Sequence, residues 1–202
     1  MSAILMIVKN FFRTEKYTPS WVVMVKSEGK YPKELKKDLF GLGYDITEIG
    51  ESLLGDIIPT MEKIYKVAII KKEDISPKPL TFPKVRRFGK RRGLKMLPIE
   101  TAPLLRKAVS DKDMEDQGVW QVVCMHKSAP LCGDDYYRQS LDDRYRMAFG
   151  RYAYGRSAKE FGPSSAHNSW FGAVKVFSEC GDMGTFPTTL RDGGAFAFLM
   201  DN

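Results

Sequence analysis

WVVMVKSEGKYPKELKKDLFGLG (residues 21–43) and IYKVAIIKK (residues 64–72) are the stretches whose reading decides the fold. Residues 21–26 alternate around Val23 and Val25 and are rich in β-branched side chains, the pattern of a half-buried strand. Ser27, Glu28, Gly29 and Lys30 are turn chemistry, and Pro32 stands where a first helical turn loses nothing by lacking an N–H. Leu35, Leu39 and Leu42 then fall at i, i+4 and i+7 on one side, while Lys33, Glu34, Lys36, Lys37 and Asp38 take the wet side. Gly41 and Gly43 end that helix. A short strand follows over residues 45–50. The spacing predicts a second helix capped by Asp56, with Pro59 in its first turn and Ile57, Met61 and Ile64 on one face. Residues 67–70 are apolar throughout and bounded by lysines, which reads as a buried strand. The expected core of this β-α-β-α-β unit is Val23, Val25, Leu35, Leu39, Leu42, Ile57, Met61, Ile64, Val67 and Ile69.

That order of landmarks resembles the bacterial-type ribosomal protein L-thirty family, small components of the large ribosomal subunit. The resemblance rests on VMVKSEGKYP (residues 23–32), the helix closing on LFGLG (residues 39–43), and the final strand KVAIIKK (residues 66–72). It covers about fifty residues and departs at LLGDIIP (residues 53–59), where the proline comes later than the family pattern has it. It implies an α+β fold: a ferredoxin-like core of three antiparallel strands with two helices on one face, here joined to a basic strap and a mixed extension. It also implies a structural protein that binds large-subunit rRNA, catalyses nothing and holds no cofactor or metal. Carried over residue by residue, Lys26, Ser27, Lys30, Tyr31 and Lys33 should face rRNA. Lys36 and Lys37, and Lys71 and Lys72 less directly, are further rRNA candidates.

The rest of the chain is expected to divide as an arm (1–19), the core (20–75), a Pro-rich connector (76–83), a basic strap (84–110) and an extension (111–202). Its net charge of +7 is unevenly spread. Residues 84–110 carry nine basic and one acidic side chain, a net of +8, while residues 1–83 come to +2 and residues 111–202 to −3. A concentrated cationic run implies an anionic partner. KVRRFGKRRGLK (residues 84–95) has seven basic residues in twelve and no acid, so Lys84, Arg86, Arg87, Lys90, Arg91, Arg92 and Lys95 are read as phosphate contacts and Phe88 as a base-stacking ring. Residues 103–110 read as a helical turn or two. Residues 119–126 and 170–177 read as strands, 195–200 as a short buried strand or a packing tail, 138–149 as a helix, and 150–172 as a loop with aromatic anchors. The acidic-leaning extension is expected to contact neighbouring large-subunit proteins rather than rRNA.

Residues 1–14 contain no acid, as in a mitochondrial transit segment; a strand formed by AILMIVKNFF (residues 3–12) is the competing reading. Additions around a small bacterial-type core resemble mitochondrial ribosomal proteins, so the expected location is the ribosome of the mitochondrial matrix. No apolar run approaches membrane-spanning length, and no small-molecule substrate is indicated. Cys124, Cys132 and Cys180 give no disulfide framework or paired zinc motif. Cys124 and His126 are the nucleophile and base of a rival reading, an enzyme with its site in 111–202. Zinc bound by Cys124, His126 and Cys132 would need His167 or Cys180 from far along the chain. Asp134, Asp135, Asp142 and Asp143 read as helix-dipole partners of Arg138, Arg144 and Arg146 rather than cation ligands. A third reading is a free RNA-binding regulator built on the same fold.

Overall fold

A computed structural model describes residues 19, 21–78, 80–127, 129–130, 144–151, 169–176 and 193–201. Within them the chain runs β1 (Trp21–Glu28), α1 (Pro32–Gly41), β2 (Asp45–Ile46), α2 (Glu48–Gly55), β3 (Met61–Lys71), α3 (Lys72–Ile75) and α4 (Phe82–Arg91). It continues with α5 (Thr101–Ala108), α6 (Asp111–Asp116), β4 (Gln121–Cys124), β5 (Ala129–Pro130), β6 (Arg144–Arg151), β7 (Ser169–Val176) and β8 (Gly194–Leu199). All the described strands join one mixed sheet in the order β1-β3-β8-β4-β6-β7-β2, with β5 also on β6.

This overturns the expected ferredoxin-like core. β1 and β3 do pair antiparallel, Val23 opposite Val67. β2, however, pairs in parallel with β7, Asp45 opposite Trp170, at the far end of the sheet. The other side of β3 is taken by β8, Ile69 opposite Ala197. The physical reason lies in residues 67–70, which are apolar in every position. A strand apolar on both faces belongs in the middle of a sheet covered on both sides, whereas two helices on one face would leave Ala68 and Ile70 in water. Instead Val67 and Ile69 enter one core with Leu35, Leu39, Leu53, Leu105 and Phe149. Ala68 and Ile70 enter a second with Phe82, Val85, Phe196 and Phe198. Strands from 111–202 thus complete the same sheet as strands from 20–75.

The sheet curls into a half-barrel. α5 touches both β1 and β6, which a flat sheet would hold about 19 Å apart, four strand spacings. A helix is only ~10–12 Å across with its side chains, so the sheet must wrap around it. Thr101, Ala102, Pro103, Leu104, Leu105 and Arg106 are accordingly all buried. Where α2 lies against β7 the backbones nearly touch: a Cβ on Gly50 would sit 2.7 Å from the Gly172 Cα.

Two helix assignments also change. α2 is capped by Thr47, whose hydroxyl accepts the Gly50 N–H, and Glu48 and Glu51 complement the dipole of its first turn. Asp56 ends this helix instead of starting one, so Met61 and Ile64 fall on β3 and are exposed, Met61 by 78%. Residues 144–149 form part of β6, where Met147 and Phe149 face one core and Ala148 the other. The rest of the predicted 138–149 helix lies outside the described residues, as do the arm except Pro19 and most of the 150–172 loop.

Leu39→Ala should lower unfolding free energy by roughly 2–5 kcal/mol, because it empties a position with no exposure. Leu42 lies beyond the end of α1 and is 54% exposed, so Leu42→Ala should stay within ~0.5 kcal/mol of wild type. Urea unfolding of both variants checks this, and equal losses would contradict the observed end of α1.

Candidate nucleic-acid interface

The chain is helical from Phe82 to Arg91, across the end of the expected connector and the start of the basic strap. Pro83 occupies its first turn, and the chain leaves through Gly93 at φ +72, where the Leu94 N–H reaches back to the Gly89 carbonyl at 2.9 Å. Phe82, Val85 and Gly89 make the buried stripe. A Cβ on Gly89 would meet Phe198 Cε1 at 2.5 Å. Alanine there would gain up to ~1 kcal/mol of helix propensity, but overpacking a core ring costs ~1–3 kcal/mol, so glycine wins.

With that stripe against β8, the cations are turned outward. Lys84, Arg86, Arg87, Lys90, Arg91 and Arg92 are all exposed. Among the described residues no carboxylate lies within ion-pair distance of Lys84, Arg86, Arg87, Lys90 or Arg91. Lys95 pairs with Asp201 at 2.6 Å. Phe88 is half-buried against the second core, with the Arg92 guanidinium 5.4 Å from its ring, so it is not a freely presented stacking platform.

The β1–α1 turn presents fewer free groups than expected. Ser27 is 3% exposed and donates to the Thr60 carbonyl. Lys30 bridges Glu28 and Asp38, each at 2.7 Å, and Lys107 of α5 reaches the same carboxylates at 3.0 and 2.6 Å. Bonding to Asp38 and then Glu28 holds the Lys30 ammonium well above its ordinary pKa. Hydrogen bonds from Lys30 and then Lys107 hold Glu28 below the carboxylate range. Desolvation pushes Asp38 upward, but the two lysines outweigh it and leave it low. Lys36 is paired with Glu51. Lys72 is buried, Lys71 is half-buried, and Lys26, Tyr31, Lys33 and Lys37 are exposed.

These two groups do not share one surface. α1, carrying Lys33 and Lys37, buries Leu35 and Leu39 in the core that also holds α5. α4 covers the opposite face. Lys26 stands opposite Ile64, and Lys66 opposite Met24. By strand alternation from Ala68, both lysines belong to the α4 face.

Two buried polar sites escaped sequence reading. Glu100 accepts from the Thr60 N–H at 3.1 Å, the Thr60 hydroxyl at 2.6 Å and the Tyr65 hydroxyl. Burial, then the bond to Glu100, pushes the Tyr65 pKa up to about 12. Arg106, counted by sequence among the strap cations, has no exposure. Its guanidinium lies 3.8 Å from the Tyr44 ring, bonds Asp111 at 2.5 Å and donates to the Val109 carbonyl at 2.9 Å. Nothing in the local sequence separates Arg106 from Lys107 beside it, which is only half-buried.

The Cys124 and His126 pair has structural work. Burial drives the Cys124 thiol far above its ordinary pKa, leaving no thiolate. His126 donates from Nδ1 to the Lys127 carbonyl and accepts the Met147 N–H at Nε2, both at 2.7 Å. Both ring nitrogens are therefore committed to backbone. Cys132, Asp134, Asp135, Asp142, Asp143, His167 and Cys180 lie outside the described residues. Among the described residues no group of three His, Cys, Asp or Glu side chains is placed to hold a metal, and no helix is long and apolar enough to cross a membrane. Against family models, curated proteins and solved structures, the chain finds no match.

Desolvation lowers the His126 pKa from 6.5 to about 4. Below pH 6.5 the unfolded chain binds a proton that the folded one refuses, so this contribution is intact above 6.5 and is lost as pH falls toward about 4. The loss should total roughly 3 kcal/mol. Chemical unfolding of wild type and His126→Gln at about pH 7 and about pH 4.5 should show their stability difference shrinking in acid. Parallel pH profiles would exclude a neutral buried imidazole.

Proposed function

We propose that the protein is a non-catalytic RNA-binding component of the large subunit of a mitochondrial ribosome. In this reading α4 takes the phosphate backbone of large-subunit rRNA, and neighbouring ribosomal proteins meet other surfaces. The observation that supports it best is the helix α4: five exposed cations without a carboxylate partner among the described residues, on an element seated against the sheet. Cations that serve solubility or stability alone are ordinarily interspersed with acids, as Lys30, Lys36 and Lys107 are here. The resemblance of residues 23–72 to the L-thirty family supplies the ribosomal part of the reading, and the acid-poor start of the chain supplies the mitochondrial part. Lys26, Lys33, Tyr31 and Lys37 remain rRNA contacts in this proposal, while Ser27, Lys30 and Lys36 act within the protein. Exposed Phe40, Leu42, Ile58 and Met61 offer apolar contacts to protein neighbours.

The full chain should bind large-subunit RNA with a log–log salt slope of about −3.5 to −4.5, the counterion release of five phosphate contacts. Changing Arg86, Arg87, Lys90 and Arg91 to Gln should flatten it by about three to four. In a sucrose gradient of mitochondrial lysate the wild-type chain should travel with the large subunit. Salt-independent RNA binding would refute the α4 interface. RNA binding with sedimentation away from the subunit would favour a free RNA-binding regulator.

A further inference from the structure

We infer that the α4 face is built for double-stranded RNA, gripping two phosphate strands at once, rather than for a single strand. This rests on the RNA-binding reading and narrows its ligand. At 100° per residue, Lys84, Arg87 and Arg91 (i, i+3, i+7) form one row, and Arg86 and Lys90 (i, i+4) another, about 110° away around the axis. Across a helix ~12 Å wide the rows stand about 10 Å apart, broad enough to face both phosphate strands across the wide, shallow minor groove of an A-form duplex. The helix cannot roll to bring both rows onto one strand, because Phe82, Val85 and Gly89 are locked against the sheet and Gly89 is pressed on Phe198.

The face also lacks what a single strand uses. Single-strand binding draws ~1–3 kcal/mol per base from exposed aromatic platforms. Here Phe82 is buried, and Phe88 is half-buried with Arg92 beside its ring. Asn, Gln, Ser and Thr, which read base edges, are absent from the sequence of α4. Beyond the helix, Lys66 and Lys26 continue the cationic surface on β3 and β1. They lie one and two strands from β8, about 5 and 10 Å away. That width suits a rigid cylinder with charge on both strands.

The test is anisotropy titration of the full chain against an RNA hairpin stem of ~20 base pairs, about two turns, and an unstructured oligouridylate of the same length. At equal salt the stem should bind at least tenfold more tightly. Arg86→Gln/Lys90→Gln and Arg87→Gln/Arg91→Gln should each weaken stem binding more than oligouridylate binding, by enough to abolish most of that preference. These side chains are exposed, and unchanged unfolding midpoints confirm the fold of each variant. Equal or tighter binding of oligouridylate would overturn the duplex inference while leaving the RNA reading standing. Absence of salt-dependent binding to either probe would overturn both. Loss of preference from one row alone would overturn the two-strand geometry.

Discussion

Pairing of β8 between β3 and β4 is the constraint on which the rest of the molecule depends. It is parallel to β4 and antiparallel to β3, so one strand near the chain's end ties residues 61–71 to residues 121–124. Its composition suits two different neighbours. Ala195 and Ala197 face the concave side and share its core with Leu104 and Leu105 of α5. Phe196 and Phe198 face the other side and supply the surface on which α4 is seated. Strand pairing and helix seating are therefore one event, and orientation of the cations follows from it.

Charge is handled in two ways. On the concave side and its rim, Arg106 is neutralised by Asp111 and the Tyr44 ring, and Lys30 and Lys107 by Glu28 and Asp38, while Lys33 and Lys37 of α1 stay exposed. A buried guanidinium without such partners would cost several kcal/mol. On α4 five exposed cations have no carboxylate partner among the described residues, and screening over ~8–10 Å limits their mutual repulsion. Holding them on a rigid helix keeps that unfavourable proximity in place, and an arriving phosphate backbone relieves it. What favours RNA is the local concentration of exposed cations on α4 rather than net charge.

Much of the local structure was legible in the sequence, because its signals are local. Val23 and Val25, Pro32, and the Leu35 and Leu39 pair gave β1 and α1, and the apolar run at 67–70 gave a buried strand. AFAFLM marked β8. The failures came where partners are distant. β2 is only two residues long, and nothing in Asp45 or Ile46 names Trp170 and Phe171 as their neighbours. Asp56 has cap chemistry, but Thr47 captured the helix first and Asp56 became its end. α4 was missed although its signals were present: Pro83 near the start, Gly93 beyond the end, and Phe82, Val85 and Gly89 at helical spacing. Seven charges in twelve residues leave that stripe only three positions wide, Phe82, Val85 and Gly89. Ser27 and Arg106 read as surface residues because burial of a polar group depends on hydrogen bonds and ring contacts that only the tertiary fold supplies.

The central claim is that residues 20–75 are not an independent unit but half of a sheet completed by β8. Amide hydrogen exchange of residues 61–71 in a chain truncated after residue 193 tests this most directly. Without β8, β3 loses a neighbour and α4 its seat, so these amides should exchange at nearly unfolded rates together with those of β4. Retention of strong protection across residues 61–71 in the truncated chain would contradict the account and restore a self-sufficient amino-terminal domain.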